Sequence, residues 1–406
     1  MESLKNFGNN KKMKESLFNY RFEYENQKYI FNTNNNGLIQ INNDIFTEEE
    51  REYLRVNRFW VDDNEDEIAL LEREINHNIQ KRQKELELTI ALTNYCNFSC
   101  VYCYQNKNEK LMTTEVANMI IEKIDRILND NIFEGINIHY FGGEPLLNIP
   151  VLIYLDENIK KITDKIGIVY KAFLTTNGSM LSKELLQKVK FSSIQLTFDG
   201  LEKTHDRLRV SDHFHFKEEI ELIENIMNFS QAKVLLRTNI CKENKDEIIA
   251  LHKYIFEKFG NERIEINPNR TIKYHQDDSF EMLSVQEYAE VAYQIKLLWS
   301  EQKGKFELPV PRSTPCKFPY GNAYAISPEG YCTFCSGSMD QEKKYFFDVD
   351  IENKKMFSVR KECKKCNILP LCLGGCIIQY NLRAGACTYE KYELKNILIS
   401  YIKHIS

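Results

Sequence analysis

The stretch Leu86-Glu-Leu-Thr-Ile-Ala-Leu-Thr-Asn-Tyr-Cys96-Asn-Phe-Ser-Cys100-Val-Tyr-Cys103 decides how the chain is organised. It begins with an alternating apolar run that is typical of a strand, and three cysteines spaced C-x3-C-x2-C follow at once. Three thiolates on one loop can hold three irons of a cubane cluster and leave the fourth iron without a protein ligand. A zinc site is the alternative, but zinc ligands usually come as two C-x2-C pairs. The nearest fourth ligand would be His139, whose place in a strand predicts that it faces a helix.

Strand and helix patterns alternate downstream of these cysteines in six β/α units. Parallel strands need long crossovers, and crossovers are right-handed, so the alternation favours a parallel sheet with helices outside. The pattern predicts an α/β fold, a partial (β/α)6 TIM-like barrel. The predicted strands are Leu86 to Leu92, Ile136 to Phe141, Val169 to Thr175, Ser193 to Phe198, Lys233 to Asn239 and Arg263 to Asn267. The predicted helices are Thr113 to Leu128, Val151 to Ile162, Ser182 to Val189, Glu218 to Phe229, Lys245 to Phe259 and Val285 to Trp299.

Four unusual loops follow the first four predicted strands. The cysteine loop follows the first, Gly142-Gly-Glu-Pro145 the second, Thr176-Asn-Gly178 the third and Asp199-Gly200 the fourth. In parallel α/β folds, reactive groups gather at the C-terminal ends of the strands. The sequence therefore predicts that the four loops share one rim of the sheet.

Composition narrows the function classes. The chain has 406 residues, a formal charge of -5 and mixed acids and bases, which argues against nucleic acid or an anionic membrane as a partner. It shows neither a membrane-length apolar segment nor a signal-peptide core, so we expect a cytoplasmic protein. In a reducing compartment, its 12 cysteines are expected to be metal ligands rather than disulfides. The isolated Cys241 is interpreted as a packing residue.

Three domains are predicted. Residues 1–85 form a small N-terminal α+β element, with strands before Ile41 and helices from Thr47 and from Glu65 to Lys84. Residues 86–305 form the partial barrel, and residues 306–406 form a cysteine-rich domain closed by a helix from Glu390 to Ile405. Metal is expected to contribute to the folding of this last domain, because it has little apolar periodicity.

The spacing C-x3-C-x-Tyr-C resembles the signature of radical S-adenosylmethionine (SAM) enzymes, with Tyr102 as the aromatic residue before the third cysteine. The resemblance implies that Cys96, Cys100 and Cys103 hold a 4Fe-4S cluster whose open iron binds S-adenosyl-L-methionine. In that family an electron passes to the sulfonium and cleavage gives a 5′-deoxyadenosyl radical. The protein positions that radical against a substrate C–H bond and excludes water.

The resemblance also implies cofactor contacts on the other rim loops. The second loop is similar to the family's GGE motif, in which Glu144 would accept the ammonium group of the cofactor, and a tight turn is the alternative. Thr197 stands where relatives commonly have serine. No catalytic acid or base is identified, and Asp199 is interpreted as a turn aspartate. The implied cofactor-binding residues are Tyr102, Gly142, Gly143, Glu144, Pro145, Asn177, Thr197 and Arg209.

The C-terminal cysteines resemble the SPASM domain, which houses two auxiliary 4Fe-4S clusters and brings the expected total to three. Cys363-x2-Cys366 alone would equally fit a zinc knuckle. Cys332 replaces an upstream cysteine of some relatives and is either a fourth proximal ligand or a spare thiol that leaves that cluster open. The implied distal ligands are Cys363, Cys366, Cys372 and Cys387, and the implied proximal ligands are Cys316, Cys335 and Cys376.

The two resemblances imply a peptide maturase of the oxidoreductase class. It would abstract hydrogen from a ribosomally made precursor peptide with a leader, form a thioether or carbon–carbon crosslink, and take electrons from a flavodoxin- or ferredoxin-type donor. The N-terminal element resembles a leader-binding region, in which the precursor adds a strand to an exposed edge, or is a plain packing cap. One alternative is an anaerobic sulfatase-maturing, formylglycine-generating enzyme. A non-catalytic zinc or iron–sulfur scaffold for protein binding is the other.

Overall fold

The computed structural model describes residues 12–41, 46–105, 108–130, 133–260, 263–273, 279–333, 335–338, 344–349, 356–376 and 387–405. Its strands are β1 (Met13–Glu15), β2 (Asn19–Tyr24), β3 (Gln27–Asn32), β4 (Gly37–Ile41), β5 (Trp60–Asp62), β6 (Glu85–Ala91), β7 (Ser99–Cys100), β8 (Gly135–Phe141), β9 (Val169–Thr175), β10 (Phe191–Thr197), β11 (Arg209–Val210), β12 (Lys233–Ile240), β13 (Ile264–Arg270), β14 (Ala323–Ile326), β15 (Tyr331–Thr333) and β16 (Lys344–Tyr345).

The helices agree with the periodicity of the sequence. They are α1 (Glu48–Val56), α2 (Glu67–Arg82), α3 (Thr114–Asp130), α4 (Ile149–Ile166), α5 (Lys183–Lys188), α6 (Glu202–Leu208), α7 (Phe216–Phe229), α8 (Ile248–Phe259), α9 (Val285–Lys303), α10 (Lys317–Tyr320), α11 (Leu369–Cys372) and α12 (Glu390–Ile405). The predicted cap of α1 is confirmed, because Glu50 N donates to Thr47 Oγ1 and Thr47 N donates to the Glu50 carboxylate. Within the described ranges, no helix combines the length and apolarity that a membrane span requires.

One large sheet contains the strands that the sequence predicts. Its order is β13-β12-β10-β9-β8-β6-β14-β15-β16, and the pairs from β6 through β8, β9, β10 and β12 to β13 are all parallel. Neighbours in the chain are therefore neighbours in the sheet, as short right-handed crossovers produce. The predicted parallel α/β sheet is confirmed.

The two faces of β8 differ in what they contact. Tyr140 Oη lies 3.3 Å from Tyr170 Oη, and Tyr170 Oη donates to Asp156 of α4, so this face is covered by a helix. Side chains alternate along a strand, which directs His139 to the opposite face. There His139 Nε2 lies 2.7 Å from Thr175 Oγ1 of β9. The expectation that His139 faces a helix is wrong.

The strand β14 extends the sheet beyond the predicted set. It runs parallel to β6, with Ala323 opposite Glu87 and Ile326 opposite Ile90, and β15 and β16 follow antiparallel. The Lys317 ammonium lies 2.5 Å from the Glu87 carboxylate and strengthens this junction. Four residues are too few to show a strand period, which is why the sequence pattern does not reveal β14.

Two compact units divide the chain. The sheet unit is drawn from the described parts of Lys81–Val291 and Lys317–Lys354, and the terminal unit from those of Met1–Gln80, Ala292–Cys316 and Lys355–Ser406. This division groups residues differently from the three predicted domains, which remain a prediction.

The terminal unit is built on an antiparallel meander, β2-β3-β4. Phe22 and Phe31 pack with Leu394 and Leu398 of α12 on one face. Ile30 and its neighbours pack with Leu54, Phe59 and Trp60 on the other face. Because both faces are covered within the unit, only the edges of the meander can accept a further strand.

Candidate active site

The cysteine loop, residues 92–105, leaves the C-terminal end of β6 in the sheet unit. Part of it forms β7, which pairs antiparallel with β11 so that Cys100 stands opposite Arg209. Val101 N donates to Leu208 O at 3.0 Å, and Cys103 N donates to Cys100 O at 3.2 Å. Protein hydrogen bonds therefore shape this loop, and the thiols of Cys96, Cys100 and Cys103 are half-buried and form no disulfide.

Two N–H groups point at the Cys96 sulfur. Phe98 N donates to Cys96 Sγ at 3.4 Å, and Asn177 Nδ2 donates to it at 3.9 Å. Burial raises the pKa of the Cys100 thiol to about 12, against the opposing charge of Arg209. Binding of a metal would therefore have to release the Cys100 proton.

This donor set fits an iron–sulfur cluster. In the part of the chain that the structure describes, no three His, Cys, Asp or Glu side chains converge on a position for a single metal ion. A cubane cluster is larger than one ion and takes its ligands further apart, and soft thiolates select it. The three thiols of this loop and the N–H donors at Cys96 suit such a cluster better than a zinc ion.

The glycine pair of the second loop lies directly against the start of the cysteine loop. Gly143 N donates to Thr93 O at 2.8 Å, and Glu144 N donates to Tyr95 O at 2.9 Å. Gly142 has φ +130°, and a Cβ on either glycine would collide with the backbone carbonyl of Thr93 or Tyr95. The pair therefore permits close approach of two protein loops.

Replacing Gly143 with alanine is expected to cost about 3 kcal/mol or more, because the new Cβ overlaps the Tyr95 carbonyl group. Gly167→Ala is the matched control, because its Cβ meets no atom within 4 Å and bears only the strain of φ +80°, about 1–2 kcal/mol. Thermal unfolding and iron content would be measured on both variants. Normal iron binding by Gly143→Ala would contradict the expected displacement of the loop.

Glu144 connects the second and third loops. It is fully buried, and its carboxylate accepts hydrogen bonds from Leu146 N at 3.0 Å, Thr176 Oγ1 at 2.7 Å and Asn177 N at 2.6 Å. Burial raises the pKa of Glu144, while these donors oppose the rise. The carboxylate thus holds the third loop in place, and its role toward a cofactor ammonium group stays a prediction.

The third loop reaches the cysteine loop through Asn177. Its Nδ2 donates to Asn97 Oδ1 at 2.8 Å as well as to Cys96, and its Oδ1 accepts from Ser179 Oγ at 2.7 Å. Asn97 could not be identified from the sequence, because nothing in its local pattern distinguishes it from any other loop residue.

Replacing Asn177 with leucine is expected to lower the reduction potential of the cluster by roughly 50 mV, about the shift of a tenfold change in equilibrium for a one-electron couple. Hydrogen bonds to cluster sulfurs favour the more negative, reduced state, and the substitution removes one at Cys96. Ser179→Ala is the control, because it keeps the Asn177 amide. The potential would be followed by electron paramagnetic resonance during a redox titration, and an unchanged value in Asn177→Leu would refute the contact.

The fourth loop supports Tyr102 through Asp199. The Tyr102 hydroxyl donates to the Asp199 carboxylate, which also accepts from Asn239 N at 2.7 Å. Asn244 Nδ2 donates to Asp199 O at 2.9 Å. Burial raises the pKa of Asp199, with Arg209 opposing. The interpretation of Asp199 as a turn residue was incomplete, since its carboxylate fixes the aromatic residue between two candidate ligands.

Arg209 brings a buried positive charge to the cysteine loop. Its guanidinium lies 5.4 Å from the centre of the Phe98 ring, and the residue is 6% exposed. Burial alone would lower the pKa of Arg209, but Glu219, Tyr102 and Cys100 raise it well above its ordinary value. Among the described residues, Arg209 Nε has no hydrogen-bond partner.

The remaining two predicted contacts lie at strand and helix ends. Pro145 begins a single 3-10 turn, Pro145–Asn148, after Glu144. Thr197 is buried at the end of β10, opposite Arg237 of β12. The structure thus places Asn177 and Arg209 beside the cysteine loop, which contains Tyr102. Thr197 lies at the C-terminal end of β10, and Pro145 follows the C-terminal end of β8.

The bond seen at Cys96 recurs at two other cysteines. Gly337 N donates to Cys335 Sγ at 3.3 Å, and Gly374 N donates to Cys372 Sγ at 3.4 Å. Each donor lies two residues after its cysteine. Burial raises the pKa of the Cys372 thiol to about 11.

The auxiliary cysteines are divided between the two units. Cys332, which is buried on β15, lies in the sheet unit with Cys335. Cys366 N donates to Cys363 O at 3.0 Å in the terminal unit. The terminal unit holds Cys316, Cys363, Cys366, Cys372, Cys376 and Cys387.

Known proteins match both the sequence and the fold. The radical SAM superfamily model matches residues 90–255. The radical SAM cyclopropyl synthase TigE of Paramaledivibacter caminithermalis is 24% identical over 372 residues, 80% of this chain and 76% of TigE. The chain spans only 39% and 53% of the length of two other curated relatives.

Two solved structures share the fold at low identity. One is anSMEcpe with bound AdoMet and Cp18Cys peptide, at a TM-score of 0.61 and 19% identity, covering 79% of this chain and 98% of that one. The other is Streptococcus suis SuiB bound to precursor peptide SuiA, at a TM-score of 0.55 and 15% identity, covering 91% of this chain and 96% of that one. Residues 90–255 therefore form a radical SAM domain.

Proposed function

We propose that the protein is a radical SAM peptide maturase, an oxidoreductase that removes hydrogen from a ribosomally made precursor peptide. The observation that carries this proposal is the cysteine loop after β6. Its three half-buried thiols form no disulfide, N–H groups donate to Cys96, and the neighbouring rim loops hold it in place. The match of residues 90–255 to the radical SAM superfamily supports the same chemistry.

Cys96, Cys100 and Cys103 would hold the first 4Fe-4S cluster, which when bound supplies the electron that converts SAM to methionine and a 5′-deoxyadenosyl radical. Arg209 suits the cofactor carboxylate, because its buried Nε has no partner among the described residues. The full set proposed to contact SAM is Tyr102, Gly142, Gly143, Glu144, Pro145, Asn177, Thr197 and Arg209.

We also propose the two auxiliary 4Fe-4S clusters of a SPASM domain. The donor two residues after Cys335 and after Cys372 supports this, because it repeats the arrangement at Cys96. The distal ligand set is supported further by the turn that joins Cys363 to Cys366. The proximal set, with Cys332 as its fourth ligand, rests on the sequence resemblance.

The partial (β/α)6 barrel and the domains 1–85, 86–305 and 306–406 remain our interpretation of the architecture. The sequential parallel order of β6, β8, β9, β10, β12 and β13 supports the barrel. A reducing, cytoplasmic setting is in keeping with cysteines that form no disulfide.

The leader of the precursor is proposed to add to the edge strand β4 of the terminal unit. Both faces of the meander are covered, and Asn367 Nδ2 already donates to Asn19 O on β2, the opposite edge. We expect that a leader-bearing peptide slows hydrogen exchange of the amides of Gly37–Ile41 and leaves those of β2 unchanged. Protection of β2 alone would contradict this edge, and equal exchange at both would favour the packing-cap interpretation.

A carbon–carbon crosslink is favoured over a thioether by the name of TigE, a relative that matches 80% of this chain. TigE is named a cyclopropyl synthase, and a cyclopropyl ring is closed by carbon–carbon bonds. Sulfatase maturation is the competing peptide reaction. It would be supported if a sulfatase peptide with a target Cys or Ser, rather than a leader-bearing peptide, were turned over.

The decisive experiment is anaerobic reconstitution followed by reduction in the presence of SAM. We expect 5′-deoxyadenosine and about twelve irons per chain, as three 4Fe-4S clusters require. A flavodoxin or ferredoxin should replace the chemical reductant. The absence of 5′-deoxyadenosine would refute the radical chemistry, and zinc without iron in anaerobically purified protein would support a non-catalytic scaffold.

A further inference from the structure

A row of polar side chains crosses the face of the sheet opposite α4, which we call the inner face. His139 of β8, Thr175 of β9, Gln195 of β10 and Asn267 of β13 are linked by successive hydrogen bonds. Asn267 reaches Gln195 although β12 lies between their strands. The sheet therefore curves toward its inner face, and the row lines the hollow of that curve.

The direction of the hydrogen bond between Asn267 and Gln195 is fixed by a backbone carbonyl group. Asn269 Nδ2 lies 2.9 Å from Asn267 O and 2.8 Å from Asn267 Oδ1. A backbone carbonyl oxygen can only accept, so the group beside it must be the Asn269 amide nitrogen. Asn267 Oδ1 then accepts as well, which directs Asn267 Nδ2 to Gln195 Oε1 at 3.3 Å.

The same direction continues to the histidine. With its oxygen accepting, Gln195 donates through Nε2 to Thr175 Oγ1 at 3.3 Å. The Thr175 hydroxyl accepts from Gln195 and can donate its one proton to His139 Nε2 at 2.7 Å, which gives that proton an acceptor within the row. In this arrangement Nε2 accepts, so the proton of the neutral imidazole is on Nδ1.

His139 is neutral and its Nδ1 is available. Burial and the charge of Lys317 lower the pKa of His139 to about 4. Among the described residues, no group accepts a hydrogen bond from His139 Nδ1. The strands that carry His139 and Thr175 lead directly into the loops of Glu144 and Asn177, so the histidine lies below the candidate active site.

We propose that this row of hydrogen bonds fixes His139 as the Nδ1–H tautomer, and that the Nδ1–H group binds a carbonyl oxygen of the peptide substrate. His139 is then a positioning residue that holds a peptide group on the inner face. This substrate class rests on the proposed function. The tautomer itself rests only on the contacts of the sheet unit.

The tautomer can be read by nitrogen NMR of the holoenzyme labelled with ¹⁵N-histidine, in which His139→Asn identifies the His139 signals. We expect a protonated Nδ1 and an unprotonated Nε2 between about pH 6 and 8. Asn269→Asp is expected to switch the proton to Nε2. A carboxylate can only accept, so Asn267 and Gln195 would reverse, and the Thr175 hydroxyl would turn to Gln195 and accept from His139.

Asn118→Asp is the matched control for charge. Asn118 is exposed on α3, where its Oδ1 accepts from Tyr154 Oη at 2.6 Å, and an aspartate keeps that acceptor. This variant should retain the Nδ1–H tautomer. A protonated Nε2 in the unsubstituted protein, or an unchanged tautomer in Asn269→Asp, would overturn the relay.

The binding role is tested with N-methylacetamide, the simplest probe that carries a peptide carbonyl group. Its addition should shift the Nδ1 signal of His139 in the unsubstituted protein and in Asn118→Asp, and should no longer do so in Asn269→Asp. An unmoved Nδ1 signal in the unsubstituted protein would refute the positioning role. These measurements do not depend on 5′-deoxyadenosine formation, so a failure of the proposed function is detected separately.

Discussion

Replacing Arg209 with methionine is expected to lower the free energy of opening of the sheet unit by about 3–5 kcal/mol. The guanidinium is buried, and the carboxylates of Glu219 and Asp199 raise its pKa. Removing the charge leaves those carboxylates buried with only His205 beside Glu219 and the neutral donors of Tyr102 and Asn239 at Asp199. Native-state hydrogen exchange of the β10 and β12 amides would measure the effect within this unit, because the protein has more than one compact unit.

An exposed cation of the same unit is the control. Lys160 of α4 pairs with Asp164 at 2.9 Å, but their side chains are 54% and 63% exposed, so Lys160→Met should cost at most about 1 kcal/mol. Adding Glu219→Gln to Arg209→Met should recover part of the loss, because one uncompensated carboxylate disappears. Equal exchange in Arg209→Met and in the unsubstituted protein would show that Arg209 does not compensate these charges.

Replacing Cys100 with alanine should reduce SAM-dependent formation of 5′-deoxyadenosine by at least about three orders of magnitude, because the electron for this chemistry comes from the cofactor. Iron should fall from about twelve to about eight per chain, the loss of one cluster of three. The same result is expected for Cys96 and Cys103. Iron analysis and chromatography of the nucleoside would be performed on the same samples.

Cys241→Ala is the control for this loss. Cys241 is buried beside Leu208 and Phe280, and its Sγ donates to Asn244 Oδ1 at 3.6 Å, so its removal should cost only packing free energy. Iron and activity should stay at the level of the unsubstituted protein. Undiminished iron and 5′-deoxyadenosine in Cys100→Ala would contradict the ligand assignment.

The six parallel strands from β6 to β13 could be predicted because each has its own apolar pattern and each follows its neighbour in the chain. β9 was predicted to the residue, and β12 to within one residue at its C-terminal end. The convergence of the rim loops follows from the same parallel order. Asn177, 81 residues from Cys96, could therefore be expected near the cysteines without any pattern of its own.

Features that depend on contacts between short or distant segments could not be predicted. β7 and β11 have two residues each, so no periodicity in the sequence indicates that Cys100 pairs with Arg209. The backbone of the glycine pair lies against residues 93–95, and no local pattern in the sequence can show this contact. The face of the sheet on which His139 lies was predicted wrongly. The alternation of side chains shows that a strand has two faces, but it does not show which face a helix covers.

The position of β14 has a consequence for dissecting the protein. It lies along β6, the strand that leads into the cysteine loop, and β8 lies on the other side. A truncated chain that stops before residue 317 would lack β14, so β6 would lose one of its two neighbours. The exposed apolar edge of β6 would then be a template for intermolecular pairing and aggregation. A fragment limited to residues 90–255 would in addition lack most of β6 and all of β13, so we expect that expressing it alone yields insoluble protein.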